Sequence, residues 1–222
     1  MSYEEYFKDW VKTIPKKELF NIIKILNNLY KRGNITPSYT DIFKAFTLCS
    51  LSDCKVIMLG QDPYPQKGVA TGLAFANNKN SNIISPSLEI LKEAAIDFTK
   101  SHNLVNFDIT LHSWAKQGVL LLNSALTCEI NNPNSHTMLW RPFISKFLEN
   151  LSNKYTGLIY VLLGNTAKSF KPYINKFNII LESPHPSYYA RNNMRMPSDL
   201  FYTINKELKS KYGETIKWYE EF

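Results

Sequence analysis

The chain has 222 residues, of which 44% are hydrophobic and 20% charged, and its net charge is +7. This length and composition favour one folded domain spanning residues 1–222 and exclude a disordered, fibrous or repetitive protein. Lysine and arginine outnumber acidic residues 26 to 19, as expected for a protein that meets a polyanion such as nucleic acid. The acidic start and the lack of a long apolar run predict a cytoplasmic protein without a membrane span, which we expect to be a monomer.

Four short apolar runs rich in β-branched residues predict buried strands. They are residues 56–59, 119–122, 158–163 and 177–181. Nearly continuous hydrophobic runs are typical of parallel strands that helices cover on both faces. Because parallel strands need helical crossovers, the sequence predicts a three-layer α/β/α sandwich around a central, mostly parallel four-stranded sheet.

Helical spacing of apolar residues between these runs predicts the covering helices. In chain order they are residues 16–30, a helix that starts at Thr40, a helix that starts near Ser85 and continues to Phe98, and residues 111–117, 141–151 and 198–209. Thr110 is the expected N-cap of the fourth helix, and Gly118 is its expected end.

Polar residues follow each of the four predicted strands. The segments are residues 60–65, Asn123, residues 164–166 and residues 183–187. The first presents the Asp62 carboxylate between two stiffening prolines, and the last contains His185. Turn formation alone explains any one of these segments, but ligands of α/β sandwiches bind beyond the carboxyl ends of the strands. Four such segments at one edge therefore indicate a functional site.

The sequence carries no motif for a metal or nucleotide cofactor. It has no glycine-rich dinucleotide or phosphate loop, no histidine pair at zinc-ligand spacing and no Gly-x-Ser-x-Gly elbow. Cys49, Cys54 and Cys128 lack Cys-x-x-Cys spacing, which argues against a disulfide framework and a thiolate cluster. We therefore expect no cofactor and no metal. A carboxylate near a histidine supports hydrolysis directly, through a held water and a stabilised leaving anion.

A series of motifs occurs in order along nearly the whole chain. They are LGQDPY (59–64), GLAF (72–75), PSL (86–88), WAKQGVLLLN (114–123), NSH (134–136), LG (163–164), HPS (185–187) and IKW (216–218). On these motifs the sequence closely resembles the family-1 uracil-DNA glycosylases. The resemblance implies base excision repair chemistry: the N-glycosidic bond of deoxyuridine in DNA is hydrolysed without a cofactor after the nucleotide is flipped out.

The resemblance also implies roles for the polar residues at the first and fourth strand ends. Asp62 would activate water and stabilise positive charge that develops on the sugar. A neutral His185 would stabilise the departing uracil anion, and Gln61 would help to position water. An iron–sulfur glycosylase is excluded by the cysteine spacing.

Three further residues would recognise the base. Asn123 would pair with the N3 and O4 edge of uracil, where the exocyclic amine of cytosine reverses the donor pattern. Phe75 would stack on the base. Tyr64 would press against C5, so that the methyl group of thymine has no room.

The remaining strand ends are expected to hold the DNA backbone. Ser87, Gly164, Asn165 and Ser187 are the candidates, because hydroxyls and helix-end amides bind phosphates well. Lys168 and Arg191 are basic candidates that could equally be solvated surface charges. We expect His136, although it lies in a family motif, to be structural.

Three positions depart from the usual family pattern. Pro65 stands where a histidine is commonest, and Asn165 replaces a usual serine. Tyr189 occupies the position of an aliphatic wedge that enters the duplex, and we expect Tyr189 to stack into the gap, with Tyr188 as a second candidate. Such a change would alter the preference between duplex and single-stranded DNA.

Two alternative functions stay open. A glycosylase-like DNA-binding adaptor or processivity factor is disfavoured by the presence of Asp62, Asn123 and His185. A relative that acts on mismatched thymine is disfavoured by Asp62 and Tyr64. The expected partners are uracil-containing DNA, single- or double-stranded, and a proteinaceous inhibitor of uracil glycosylases.

Overall fold

The computed structural model describes residues 2–81, 83–96 and 105–221. Its strands are β1 (Ile35–Thr36), β2 (Val56–Gly60), β3 (Val105–Asn106), β4 (Val119–Asn123), β5 (Cys128–Glu129), β6 (Ile159–Leu163), β7 (Ile179–Ser183) and β8 (Glu220–Glu221). Its α-helices are α1 (Tyr3–Phe7), α2 (Lys16–Arg32), α3 (Lys44–Leu48), α4 (Pro86–Ile96), α5 (His112–Lys116), α6 (Thr137–Lys154), α7 (Asn165–Lys168), α8 (Pro186–Arg191) and α9 (Asp199–Tyr212).

A four-stranded sheet in the order β4-β2-β6-β7 forms the centre of the fold, and every neighbouring pair in it is parallel. All residues of β2, β4 and β6 are buried, which explains their continuous apolar runs. The register aligns Gly60 with Asn123 and Leu163 with Ser183, so the carboxyl ends of the strands share one edge. The predicted α/β/α sandwich with a parallel four-stranded sheet is confirmed.

Each face of the sheet packs against its own hydrophobic core. Ile57 and Leu59 of β2 point to one core, whereas Val56 and Met58 point to the other. The large aromatic residues of the first core include Trp10, Trp140, Phe143 and Phe147, and those of the second include Trp114, Phe201 and Trp218. None of the helices in the described ranges is long and apolar enough to cross a membrane.

Strand β7, the last of the four predicted strands, starts later than predicted. It spans Ile179–Ser183 rather than residues 177–181. Phe177 is 67% exposed, and its N–H donates to Asn175 Oδ1 at 3.0 Å, so it belongs to the preceding turn. The shift matters for the site because it extends the strand to Ser183, just before His185.

Several helix boundaries also differ from the predictions. Helix α6 starts at Thr137 rather than residue 141 and contains Pro142. The helix predicted from Thr40 is a 3-10 turn at Tyr39–Asp41 followed by α3. The N-cap position of α5 is Leu111 rather than Thr110. The Asp108 carboxylate accepts the N–H groups of Thr110 and Ser113, each at 2.9 Å, and Thr110 Oγ1 accepts that of His112 at a longer 3.5 Å. Phe98 lies outside the described residues.

Candidate active site

A cavity of about 300 Å³ opens at the carboxyl edge of the sheet. Its lining includes Gln61, Asp62, Tyr64, Phe75, Asn123 and His185, together with Ser87, Ser187 and Arg191. A larger cavity, of about 420 Å³, lies beside α4 and α9 and contains none of these residues. The smaller cavity is therefore the candidate site, because it gathers the polar residues from the ends of several strands.

Gly60, at the end of β2, allows two side chains to approach the cavity floor closely. A β-carbon at this position would lie 2.6 Å from Asn123 Oδ1 and 2.9 Å from Phe75 Cζ. Asn123 is only 7% exposed, yet no group in the described ranges hydrogen-bonds its carboxamide. Because Asn123 lines the cavity, its carboxamide is available to a ligand that supplies complementary polar atoms.

Tyr64 and Phe75 form one connected wall. The Tyr64 hydroxyl donates to the carbonyl oxygen of Phe75 at 2.8 Å, and burial raises the pKa of Tyr64, which keeps the hydroxyl protonated. Phe75 has a φ of +67°, and its ring centroid lies 5.6 Å from that of His185. This hydrogen bond ties the tyrosine ring to the backbone of its neighbour across the cavity.

The Asp62 carboxylate is held by a residue from a second loop. Asn134 donates its backbone N–H to Asp62 Oδ2 at 2.6 Å. Burial raises the pKa of Asp62, and this hydrogen bond opposes the rise. The Gln61 carboxamide donates to Asn134 Oδ1, so Asn134 contacts two neighbouring residues of the loop at residues 61–65.

His185 has a defined protonation state. Burial, and then the charge of Arg191, lower the pKa of His185 to about 4, so its imidazole is neutral at neutral pH. Its Nδ1 accepts the backbone N–H of Ser187 at 3.1 Å, which leaves the proton of the neutral ring on Nε2. Gly164 has a φ of +90°, and a β-carbon there would lie 2.8 Å from His185 Cβ, so glycine permits this packing.

Unlike His185, His136 lies outside the cavity lining and has protein side chains as its neighbours. Trp140 Nε1 donates to Thr127 Oγ1 at 2.8 Å, and the same oxygen lies 2.9 Å from His136 Nδ1. His136 is buried and does not line the cavity, which fits the structural role expected for it although it lies in a family motif. In the described part of the chain, no group of three or more His, Cys, Asp or Glu side chains could hold a metal ion.

Comparisons with known proteins identify the family of the chain. A family model for the uracil DNA glycosylase superfamily matches residues 46–209. Uracil-DNA glycosylase from Campylobacter jejuni subsp. jejuni is 39% identical over 97% of this chain and 92% of its own length. The Streptococcus uberis enzyme is 34% identical over 98% of this chain and 99% of its own length. The chain belongs to the uracil-DNA glycosylase superfamily.

The superfamily fold is also seen in a solved structure. Mimivirus UNG, crystallised as a variant in complex with UGI, is similar with a TM-score of 0.76 and 26% identity, covering 98% of this chain and 94% of that one. The similarity extends over nearly the whole chain and therefore includes the central parallel sheet, whose carboxyl edge bears the cavity in this protein.

The predicted DNA-contact residues of this superfamily member divide into two groups. Ser87 and Ser187 line the cavity, and Arg191 joins them there. Asn165 is exposed at the start of α7, and Lys168 lies at the end of that short helix, and neither lines the cavity. The structure therefore brings the two serines, but not Asn165, to the candidate active site.

The two adjacent tyrosines have opposite environments. Tyr189 is 7% exposed and packs in the second hydrophobic core, with its hydroxyl 3.5 Å from Ser183 Oγ. Tyr188 is 44% exposed. This corrects the expectation that Tyr189 is the first candidate for stacking on DNA, because its ring is already buried against protein.

The residues that hold the loop at residues 61–65 could not be identified from the sequence. Asn134 acts on Asp62 through its backbone N–H, which any residue except proline possesses. Cys128, for which the sequence suggested no contact, donates to the Pro63 carbonyl oxygen at 3.5 Å. The one hint in the sequence is that asparagine, the residue at positions 131 and 134, tolerates the left-handed backbone conformation found in such turns.

Proposed function

We propose that this chain is a family-1 uracil-DNA glycosylase that hydrolyses the N-glycosidic bond of deoxyuridine in DNA, releasing uracil and leaving an abasic site. Membership of the superfamily supports the reaction. One observation carries the mechanism: the carboxylate of Asp62 and the neutral imidazole of His185 line the same cavity. A base inside a duplex cannot reach this cavity, so the nucleotide must be flipped out, at a cost of about a few kcal/mol.

Asp62 orients the attacking water and stabilises the positive charge that develops on the sugar. Its Oδ2 is occupied by the Asn134 N–H, and no group in the described ranges donates to Oδ1. One oxygen thus holds the carboxylate in place while the other is available to water. A preorganised negative charge stabilises a developing cation without reorganisation of the protein.

His185 stabilises the leaving uracil anion as a neutral donor. Because Nδ1 already accepts from Ser187, the Nε2 proton is the one that can face uracil O2. The low pKa of His185 means that the ring does not compete for a second proton at neutral pH. Stabilisation therefore comes from a hydrogen bond to the developing charge rather than from full proton transfer.

Asn123, Phe75 and Tyr64 select uracil. The unpartnered carboxamide of Asn123 can accept from N3–H and donate to O4, a pattern that cytosine reverses. Phe75 provides the stacking face. Tyr64 blocks the thymine methyl, and a wall of this kind discriminates by about 1–3 kcal/mol per methyl group. Its hydrogen bond to Phe75 and the flanking Pro63 and Pro65 make the wall rigid.

DNA is held at the rim of the cavity. Ser87 and Ser187 are the proposed phosphate contacts, with the backbones of Gly164 and Asn165 as further proposed contacts. Tyr188 is the proposed aromatic side chain that stacks in the space left by the flipped base, because its ring is exposed beside the cavity-lining Ser187.

A proteinaceous inhibitor is a further proposed partner. A variant of the related mimivirus UNG has been crystallised in complex with UGI. The similar fold over nearly the whole chain supports binding of the same inhibitor class to this protein. Loss of uracil release on addition of UGI is the expected result.

The proposed function is tested by incubating the protein in EDTA with matched oligonucleotides that contain uracil or thymine, followed by alkaline cleavage of abasic sites. We expect cleavage only at uracil and a loss of about 10²- to 10⁴-fold in the Asp62→Asn variant, the usual contribution of a general base. No release by the wild-type protein, with DNA binding intact, would favour the adaptor function instead.

A further inference from the structure

A segment at residues 128–134, called here the clamp segment, packs against the catalytic loop at residues 61–65. Cys128 Sγ donates to the Pro63 carbonyl at 3.5 Å, and the Asn131 N–H donates to the Pro65 carbonyl at 2.9 Å. Asn134 makes the two contacts to Gln61 and Asp62 described above. The clamp segment therefore holds the loop along most of its length.

Asn134 differs from the rest of the clamp segment in what it contacts. Cys128 and Asn131 bind backbone carbonyls, which positions the loop as a whole. Asn134 alone binds the carboxylate, and its backbone N–H is the only hydrogen-bond donor from the described residues that reaches Asp62. Its side chain also fixes Gln61. One residue thus orients both polar side chains of the loop.

The backbone of Asn134 explains why asparagine occupies this position. Its φ is +68°, in the left-handed region that asparagine and glycine tolerate better than other residues. This conformation directs the N–H toward Asp62 while the side chain remains free to accept from Gln61. Glycine would keep the first contact and lose the second, whereas alanine would disfavour the backbone conformation itself.

We propose that Asn134 is a positioning residue for catalysis, which sets the orientation of the Asp62 carboxylate through its backbone N–H and that of Gln61 through its side chain. This inference rests on the proposed function, because it assumes that Asp62 is catalytic. Asn134 acts through Asp62 and is not itself a catalytic residue.

Among the polar contacts of Asp62, the hydrogen bond from the Asn134 N–H is the one that lowers the pKa of its carboxylate. Tyr64, His185 and Arg191 line the same cavity, and the Cys128 thiol lies behind the loop. Burial raises the pKa of Tyr64 and raises that of Cys128 to about 12, so both are neutral, and His185 is neutral as well. Arg191 is the one charged neighbour in the described cavity lining. Weakening the Asn134 contact should therefore raise the pKa of Asp62.

The test compares Asn134→Ala, Asn134→Gly and Asn131→Ala in single-turnover uracil excision across the acid pH range. Asn131 is the matched control, because it has a φ of +62° in the same segment but donates to a carbonyl. We expect Asn134→Ala to lower the rate constant about 10- to 100-fold, as for loss of one charge-assisted hydrogen bond, and to move the acid limb to higher pH. Asn134→Gly should have the acid limb of the wild-type protein, because glycine keeps the backbone N–H that binds Asp62. Asn131→Ala should not shift the acid limb.

A second measurement covers the case in which Asn134→Ala does not fold. Gln61→Ala and Asn134→Gly should be non-additive in a double-mutant cycle, because both remove the same contact. Equal rate losses in Asn134→Ala and Asn131→Ala without a shift of the acid limb, or additive effects in the cycle, would overturn the inference. If the wild-type protein released no uracil, or if Asp62→Asn kept full activity, the proposed function would fail instead.

Discussion

The inner wall and the outer rim of the cavity are built differently. On the inner wall, Tyr64 is tied to the Phe75 backbone and His185 to Ser187, so their polar atoms are fixed before any ligand arrives. On the rim, which lies outside the cavity lining, Tyr188 and Asn165 are exposed. Fixed groups suit recognition of one small rigid base, whereas exposed groups suit a flexible backbone that differs from site to site.

The largest effect should come from removing the Tyr64 ring from the inner wall, which should change the selectivity for uracil over thymine. Tyr64→Ala removes the ring that is proposed to exclude the thymine methyl, so thymine excision should rise by about 10- to 200-fold relative to uracil excision. Tyr64→Phe is the matched control, because it keeps the ring and loses only the hydrogen bond to Phe75. It should relax selectivity less than the alanine variant does.

Single-turnover rates on uracil and thymine oligonucleotides of the same sequence measure this selectivity. An unchanged ratio in Tyr64→Ala would mean that another group excludes thymine. A phenylalanine variant as unselective as the alanine variant would show that the hydroxyl, rather than the ring, holds the wall.

A smaller effect is expected on the rim. Tyr188→Ala removes the exposed ring that is proposed to stack on DNA, so it should lower activity on duplex DNA relative to single strands by about tenfold, within the usual energy of one base–aromatic stack. Tyr189→Phe keeps a buried ring and removes only the hydroxyl near Ser183. Its ratio of duplex to single-strand activity should match the wild-type ratio.

Parallel rate measurements on the same uracil site in both DNA forms decide between the two tyrosines. If Tyr188→Ala leaves the ratio unchanged while Tyr189→Phe alters it, the exposed ring is not the stacking group. In that case the buried tyrosine would have to leave the core on DNA binding.

The strand ends could be predicted because burial on both faces leaves a strong apolar pattern, and parallel strands bring their carboxyl ends to one edge. That reasoning located Asp62, Asn123 and His185 at one cavity. It failed at Phe177, because apolar character alone does not separate an exposed turn residue from the start of a strand.

Other features of the site leave no mark in the sequence. The Asn134 contact to Asp62 uses a backbone N–H, which is the same for almost every residue type. The choice between Tyr188 and Tyr189 depends on how the short helix α8 is rotated against the core, and two adjacent tyrosines look alike before that packing is known. The Asn134 contact and the exposure of Tyr188 could therefore be identified only from the tertiary structure.

The polar groups of the inner wall are fixed in the free protein, before DNA binds. The protonation state of His185 tests this most directly. A ¹⁵N NMR titration of the free protein, with His185→Gln to assign the signal, reports both the pKa and the protonated nitrogen. We expect His185 to remain neutral, with its proton on Nε2, as the pH falls from 7 until it approaches a pKa of about 4. A pKa near the ordinary histidine value of about 6.5, or a proton on Nδ1, would contradict the account.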